Sequence, residues 1–279
     1  MLEFISFSSG SCGNCYYIGD RKRGLIIDAG IRAQSKGEPG EIAGLRDYLF
    51  RYGLTQESFQ AILITHNHFD HIRGLKSFCH KKKGFFKPVY APSGLISFFY
   101  TPSSVSYQNY RNYFKTLNQS GVTEIGDFKV RWFEVPHDAL MTVGYQIELD
   151  GEMFFIMTDA GRVTDEAVEM ARECSSIVIE SNYDLDMLLY GPYDQMLKDR
   201  IRNGHGHLSN DECADALRRI WHPGLRNIFL CHRSDNNNTD ELAVGCSRRT
   251  LEEIGAFGQE PDLRLVCLNR QTPTGPFTL

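Results

Sequence analysis

No run of apolar residues in this 279-residue chain approaches the ~20 needed to cross a bilayer. A membrane-spanning helix is therefore not expected. The start, Met1-Leu2-Glu3-Phe4-Ile5-Ser6, lacks the basic residues and long apolar centre of a secretion signal. Those two absences set the expectation of a soluble, cytoplasmic protein. The eight cysteines include one CxxC, Cys12-Gly13-Asn14-Cys15, and no second CxxC to complete a four-thiolate metal site. Reduced thiols are expected rather than a disulfide framework. Cys12 and its glycine-rich neighbours read as a tight turn between strands. An excess of positive charge is also lacking. A net charge of −5 gives no overall attraction to a phosphate polymer, so a nucleic-acid partner would need a local basic patch. No linker interrupts the chain, and 42% hydrophobic with 23% charged residues is ordinary globular composition. One domain over residues 1–279 is expected, with a loose Pro/Gly-rich tail over about 271–279.

What the chain does contain is a dense cluster of metal-ligand types. Thr65-His66-Asn67-His68-Phe69-Asp70-His71 follows the apolar run Ala61-Ile62-Leu63-Ile64 at once. Alternate side chains of an extended segment point the same way, so His66 and His68 can grip one ion. A turn then brings Asp70 and His71 toward a second. The same arrangement recurs along the chain. Leu25-Ile26-Ile27 leads to Asp28, Trp132-Phe133-Glu134-Val135-Pro136 to His137, and Phe154-Phe155-Ile156-Met157-Thr158 to Asp159. Ile177-Val178-Ile179 leads to Glu180, and Ile228-Phe229-Leu230-Cys231 to His232. Short apolar runs bounded by polar residues read as core strands, and residues just past strand ends converge on one edge of a fold.

The organisation is two similar halves. In the first, strands are expected over Leu2–Phe7, Tyr16–Ile18, Leu25–Asp28 and Ala61–Ile64, with helices near Glu41–Tyr52 and Ile72–Cys79. In the second, strands are expected near Phe128–Phe133, Val143–Leu149 and Met153–Met157, with Asp150-Gly151 as a hairpin turn. Strands Ile177–Ile179, Ile228–Cys231 and Arg264–Leu268 then alternate with helices near Thr164–Arg172, Tyr183–Leu189, Tyr193–Ile201, Asn210–Trp221 and Asp240–Ile254. Ser209 and Glu212 form a capping box ahead of an apolar face of Cys213, Ala216, Leu217 and Ile220. The fold class is α/β: a four-layer αβ/βα sandwich of two mixed sheets face to face, helices outside.

His66-Asn67-His68-Phe69-Asp70-His71, with Asp28, His137, Asp159 and His232 in that order, resembles the metallo-β-lactamase fold superfamily over essentially the whole chain. More narrowly, four segments are similar to the WalJ/YycJ group of bacterial metallohydrolases. They are Ser9–Asn14, Glu180–Asp184, Gly206–Asn210 and Cys231–Asn237. Cys12 stands where that group more often has serine. The resemblance implies two divalent ions, zinc or manganese with iron as a third option. It assigns His66, His68 and His137 to one ion, Asp70, His71 and His232 to the other, and Asp159 as a bridge. Asp28 is implied to steady a ligand histidine by accepting its other ring N–H. The implied reaction is phosphodiester hydrolysis by a metal-activated hydroxide, with double-stranded DNA as the substrate of an exonuclease.

Asp70, His207 and Glu180 are the catalytic candidates. His207 opens a helix and resembles the proton-donating histidine of tRNase Z-like phosphodiesterases, with Glu180 where those enzymes keep the orienting carboxylate. A sugar hydroxyl is a poor leaving group, so such an acid is useful. Arg233, Ser209 and Asn236 are the candidates for substrate contact, whereas His205, His80 and His222 match nothing. No segment is long enough for the added domain of RNase J-like enzymes, and no tRNA-binding arm is present. The alternative reading is a small-molecule hydrolase of thioesters or lactones with the same two-metal core. A metal-holding module without turnover is disfavoured because every ligand type is present. Nucleic acid, most naturally DNA, is the expected partner; no membrane and no protein partner are expected.

Arg73, Lys76, Lys81, Lys82, Lys83 and Lys87 follow the metal motif and form the candidate basic patch. The aromatic stretch Phe98-Phe99-Tyr100 through Tyr107, Tyr110, Arg111, Tyr113 and Phe114 reads as core rather than as a base-stacking surface. Neutralising Lys81, Lys82 and Lys83 is expected to weaken DNA binding and flatten its salt dependence. An unchanged salt slope dismisses the patch.

Overall fold

The computed structural model describes residues 1–35, 43–80, 84–101 and 111–279. Glu41, Lys81, Lys82, Lys83, Tyr107 and Tyr110 lie outside the described residues, and with them the start of the expected first helix, three lysines of the basic patch and part of the aromatic stretch. The chain forms two compact units. One comprises Met1–Val130, Ala139–Met141 and Asn269–Thr278; the other comprises Arg131–Asp138 and Thr142–Leu268, with Leu279. Among the described residues no helix is long and apolar enough to cross a membrane.

The first unit is built on β1 (Glu3–Gly10), β2 (Gly13–Gly19), β3 (Gly24–Ile27), β4 (Ala61–Leu63), β5 (Val89–Ala91) and β6 (Phe114–Thr116). β1 and β2 form a hairpin whose Gly10 faces Gly13 across Ser11-Cys12, so the CxxC is the expected turn. β2 and β3 are antiparallel, whereas β3 through β6 run parallel. Helices α1 (Leu45–Arg51), α2 (Phe69–Ile72), α3 (Leu75–Phe78) and α4 (Ser93–Phe99) supply one side of the core. Ile5, Phe7, Tyr17, Ile26 and Ile62 pack there with Leu45, Leu49, Phe78 and Phe99. Burial of each such side chain contributes about 1.5–3 kcal/mol. The alternate strand residues Phe4, Tyr16, Ile18, Leu25, Ile27 and Leu63 are fully buried as well, so both faces of the sheet are covered. That double burial explains why the strands read as continuous apolar runs.

The second sheet contains β7 (Thr123–Ile125), β8 (Phe128–Glu134), β9 (Val143–Leu149), β10 (Glu152–Met157), β11 (Ser176–Glu180), β12 (Asn227–Cys231) and β13 (Arg264–Cys267), hydrogen-bonded in that order. The division between units falls inside β8. β9 and β10 form the expected hairpin, with Asp150 at φ 53° and Gly151 at φ 86°. β10 through β13 are parallel, which brings their C-terminal ends to one edge. Helices α5 (Asp165–Arg172), α6 (Leu185–Tyr190), α7 (Gln195–Arg202), α8 (Asn210–Ile220), α9 (Asp240–Glu253) and α10 (Ala256–Gln259) complete it. Phe155, Met157, Ile177, Ile179, Ile228 and Leu230 pack against Val168, Cys213, Leu217, Ile220 and Leu251. The Ser209–Glu212 capping box is present. The expected α/β class with two mixed sheets is thus what the chain adopts.

Three expectations are corrected. The helix expected near Ile72–Cys79 is shortened to α3, Leu75–Phe78; Ile72 ends the separate α2, and the two are divided near Gly74. A Cβ at Gly74 would lie 1.6 Å from the Ile31 carbonyl oxygen, and the Gly74 N–H donates to the Ala29 carbonyl at 2.7 Å. Backbone approach, not side-chain periodicity, decides that segment. β5, β6 and β7 were not anticipated, because three-residue strands carry almost no periodic signal, and the seven-residue helix α4 was not anticipated either. The tail is not loose over its whole length. Thr274–Thr278 forms β14, antiparallel to β1, with Phe277 stacked on Phe4 at 6.5 Å between ring centroids. An edge strand tolerates Pro276, whose missing N–H argues against strand only inside a sheet. Of the aromatic stretch, Phe99 and Phe114 are buried, as expected of core, and Tyr100 is exposed.

Removing residues 272–279 is expected to destabilise the protein by on the order of 1–2 kcal/mol through lost cross-strand pairs. A thermal melt should fall by a few degrees; an unchanged midpoint would mean β14 contributes nothing.

Candidate active site

Local geometry in the first unit follows from parallel pairing of β3 with β4. The chain leaves β3 at Asp28, which takes a left-handed φ of 63°, and leaves β4 into Thr65 and His66. The Thr65 N–H donates to Asp28 Oδ1 at 2.8 Å and the Thr65 hydroxyl to Oδ2 at 2.9 Å. His71 Nδ1 donates to the same Oδ2 at 2.7 Å. All three residues are fully buried. Burial pushes the Asp28 carboxyl above its ordinary range, while the charge of His71 and its hydrogen bonds pull it down without cancelling the effect. His68 sits at the N-cap of α2, and Asp70 and His71 lie within it. The His66 ring centroid is 4.7 Å from that of His68 and 4.0 Å from that of His71. The Asn14 amide lies 2.9 Å from His71 Nε2 and 3.3 Å from Asp70 Oδ2. His66, His68, Asp70, His71 and Asp28 are therefore brought together within this unit.

The second unit gathers His137, Asp159, Glu180, His207 and His232. Glu180 ends β11 fully buried, and four donors surround its carboxylate. Oε1 accepts from His207 Nδ1 and from His232 Nδ1, each at 2.8 Å. Oε2 accepts from the Ala160 N–H at 2.8 Å and the Leu208 N–H at 3.1 Å. Burial opposes charge on Glu180, yet the neighbouring His207 charge and these hydrogen bonds hold its pKa below the ordinary value. For His207, burial alone would lower the pKa; the Glu180 charge and hydrogen bond outweigh it and the net direction is upward. Asp159 Oδ1 lies 3.3 Å from His232 Nδ1 and 3.9 Å from His137 Nε2. His137 Nδ1 donates to the Gly206 carbonyl at 2.7 Å, and burial lowers its pKa.

Asp28, Asp159 and His232 make up three of the six non-glycine residues with positive φ among the described residues. Backbone strain concentrated at strand ends is a mark of functional sites. The donor chemistry fits divalent transition ions. In the second unit, one ligand atom from each of Asp159, Glu180, His207 and His232 lies within 4.8 Å of the others. His71, His137 and His232 each give Nδ1–H to a carboxylate or carbonyl acceptor, which fixes the tautomer whose Nε2 carries the lone pair.

Of the residues expected to meet substrate, Ser209 caps α8 through the Glu212 N–H. Arg233 pairs with Asp240 at 2.6 Å and donates to the Ser234 and Asn238 carbonyls. Asn236 is exposed and donates to the Tyr193 hydroxyl at 3.0 Å. His80 and His205 are exposed. Sequence reading missed Asp138 and Arg200. Asp138 Oδ1 is 3.3 Å from His137 Nε2, and its Oδ2 accepts from Arg200 Nε at 2.5 Å. A carboxylate next to a candidate ligand was a usable signal; Arg200 had none. Asn182 was quoted only as part of a motif, yet its amide donates to the His232 carbonyl at 2.7 Å.

The sequence model for the Beta-lactamase superfamily domain matches residues 25–232. The exodeoxyribonuclease YycJ of Bacillus anthracis is 31% identical over 259 residues, covering 92% of this chain and 91% of that protein. The exodeoxyribonuclease WalJ of Streptococcus pneumoniae serotype 2 (strain D39 / NCTC 7466) is 31% identical over 247 residues, covering 87% and 85%. Among solved structures, the metallo-β-lactamase fold protein YhfI from Bacillus subtilis matches with a TM-score of 0.66 at 15% identity, over 98% of this chain and 99% of that one.

The upward shift of His207 has a testable sign. Its contribution to stability is complete below the ordinary value of 6.5 and is lost as pH rises through the raised value of the folded state. In chelator-stripped protein, NMR titration of the His207 ring should give a pKa above 6.5. Glu180→Gln removes the two largest upward influences and leaves only the Asp159 charge against burial, so the pKa should drop and that pH-dependent stabilisation shrink. An identical titration curve in the variant rejects the pairing.

Proposed function

The chain belongs to the Beta-lactamase superfamily and, within it, to the group of YycJ and WalJ, so it is a hydrolase of the metallo-β-lactamase fold; from that premise we propose that it is a metal-dependent phosphodiesterase acting on DNA as an exonuclease. The substrate rests on relatives named exodeoxyribonucleases that are 31% identical over most of their length. The chemistry rests on one contact above all, the 2.8 Å hydrogen bond from His207 Nδ1 to buried Glu180.

In this reading His66, His68 and His137 would hold one divalent ion, Asp70, His71 and His232 a second, and Asp159 both. When bound, such ions stabilise charge on the phosphoryl oxygens and lower the pKa of a water nucleophile. The remaining work falls to side chains. Asp28 holds His71 in the tautomer suited to ligation, and the Gly206 carbonyl does the same for His137. Glu180 stabilises protonated His207, whose partly exposed ring can release a proton from Nε2 to the departing sugar oxygen. A thiolate leaving group needs no such acid, which counts against a thioesterase. Because α8 begins just past His207, capped by Ser209, the ring sits on a rigid support.

Purified protein supplied with manganese or zinc is expected to degrade linear duplex DNA from its ends and to stop on chelation. Activity confined to thioesters or lactones would overturn the reading. His207→Ala is expected to lower DNA turnover by about 10²–10⁴-fold with metal content unchanged. Hydrolysis of bis(p-nitrophenyl) phosphate, whose leaving group departs without a proton, should fall far less. Equal losses on both substrates, or loss of metal, would remove His207 as the acid.

A further inference from the structure

We propose that Arg200 grips a phosphate of the nucleic-acid strand next to the one being cleaved, an inference that rests on the phosphodiesterase reading above. Arg200 lies in the last turn of α7, a helix with no buried residue. Two contacts tie that turn to the catalytic cluster of the second unit. The His207 N–H donates to the Ile201 carbonyl at 3.0 Å. Arg200 Nε donates to Asp138 Oδ2 at 2.5 Å, and the other oxygen of Asp138 lies 3.3 Å from His137 Nε2. The guanidinium is thus one carboxylate away from a candidate metal ligand and one residue from the backbone that carries the proton donor.

A guanidinium presents five N–H donors in a planar fork, and Asp138 engages the Nε side. The two terminal amino groups donate no hydrogen bond to the described residues, and the side chain is 60% exposed. An exposed ion pair of this kind adds little stability. What Asp138 does supply is orientation: it stiffens a flexible side chain so that the rest of its fork faces outward, the arrangement that binds phosphate oxygens in pairs. Met196 is one helical turn earlier on the same face and 84% exposed, giving a nucleotide an apolar surface beside the cation. With a net charge of −5, attraction to a polyanion has to come from local positions such as this one.

The test compares Arg200→Met and Arg200→Lys with the wild type on a single-stranded oligodeoxynucleotide and on bis(p-nitrophenyl) phosphate, which has no second phosphate. Arg200→Met should raise KM for the oligonucleotide about tenfold, the loss of one charge-assisted contact, with a far smaller effect on the small diester. Arg200→Lys should recover part of the loss by restoring the charge without the fork. Oligonucleotide binding followed by fluorescence anisotropy in chelator should show a salt slope shallower by about 0.7 in Arg200→Met. Equal losses on both substrates would mean that Arg200 acts on His137 through Asp138, and would overturn the proposal. So would wild-type KM and salt slope in Arg200→Met. A wild-type protein that neither binds nor cleaves the oligonucleotide overturns this inference; the DNA reading falls with it only where linear duplex DNA is left intact as well. Cleavage by the wild type with an indifferent Arg200→Met defeats the inference alone.

Discussion

A carboxylate taken completely out of water has to be compensated by donors from its surroundings, and Glu180 is compensated on four sides. Those four donors come from three separate loops: the one after β10, the one before α8 and the one after β12. Each loop delivers a candidate site residue, Asp159, His207 or His232. The buried charge therefore does more than orient one imidazole. It sets the relative positions of three loops, and any loop that drifted would leave it undercompensated. Asn182, two residues on, adds to this by capping the His232 carbonyl while that residue holds a left-handed backbone.

The first unit repeats the logic with Asp28. Here too an acid at the end of a parallel strand is fully buried and is met by a backbone N–H, a hydroxyl and an imidazole. The consequence is the same: His71 is held in one ring orientation and one tautomer. Parallel strands explain why both units use this device. Their C-terminal ends lie side by side, so a buried acid on one strand reaches the loop of the next within hydrogen-bonding distance. The two acids differ in electrostatic outcome. Burial prevails for Asp28 and raises its pKa, whereas Glu180, facing two imidazoles, is held low.

Much of this was legible before any coordinates. The apolar runs before Asp28, His66, Asp159, Glu180 and His232 do end near those residues, because a strand buried on both faces must be apolar and the first polar residue marks its end, whereas β8, ahead of His137, alternates buried and exposed positions. The Asp150-Gly151 turn and the Ser209–Glu212 box were legible for a local reason as well, since turn and cap chemistry involve neighbours in sequence. What escaped notice was non-local or too short. β14 forms because β1 offers it an open edge, and Arg200 meets Asp138 from 62 residues away. The break between α2 and α3 depends on a close approach of Gly74 to Ile31 that no periodicity encodes.

Residue order alone determined the inventory of donors, their placement at strand ends and the kind of chemistry they suit, because ligand type and strand polarity are written in adjacent residues. Tertiary structure decided which nitrogen of each imidazole is tied down, which carboxylate ties it and what each pKa becomes. Those outcomes depend on partners 27, 43 and 52 residues distant and on exclusion of water. Neither the spacing nor the charge of such pairs exists until the loops are brought side by side.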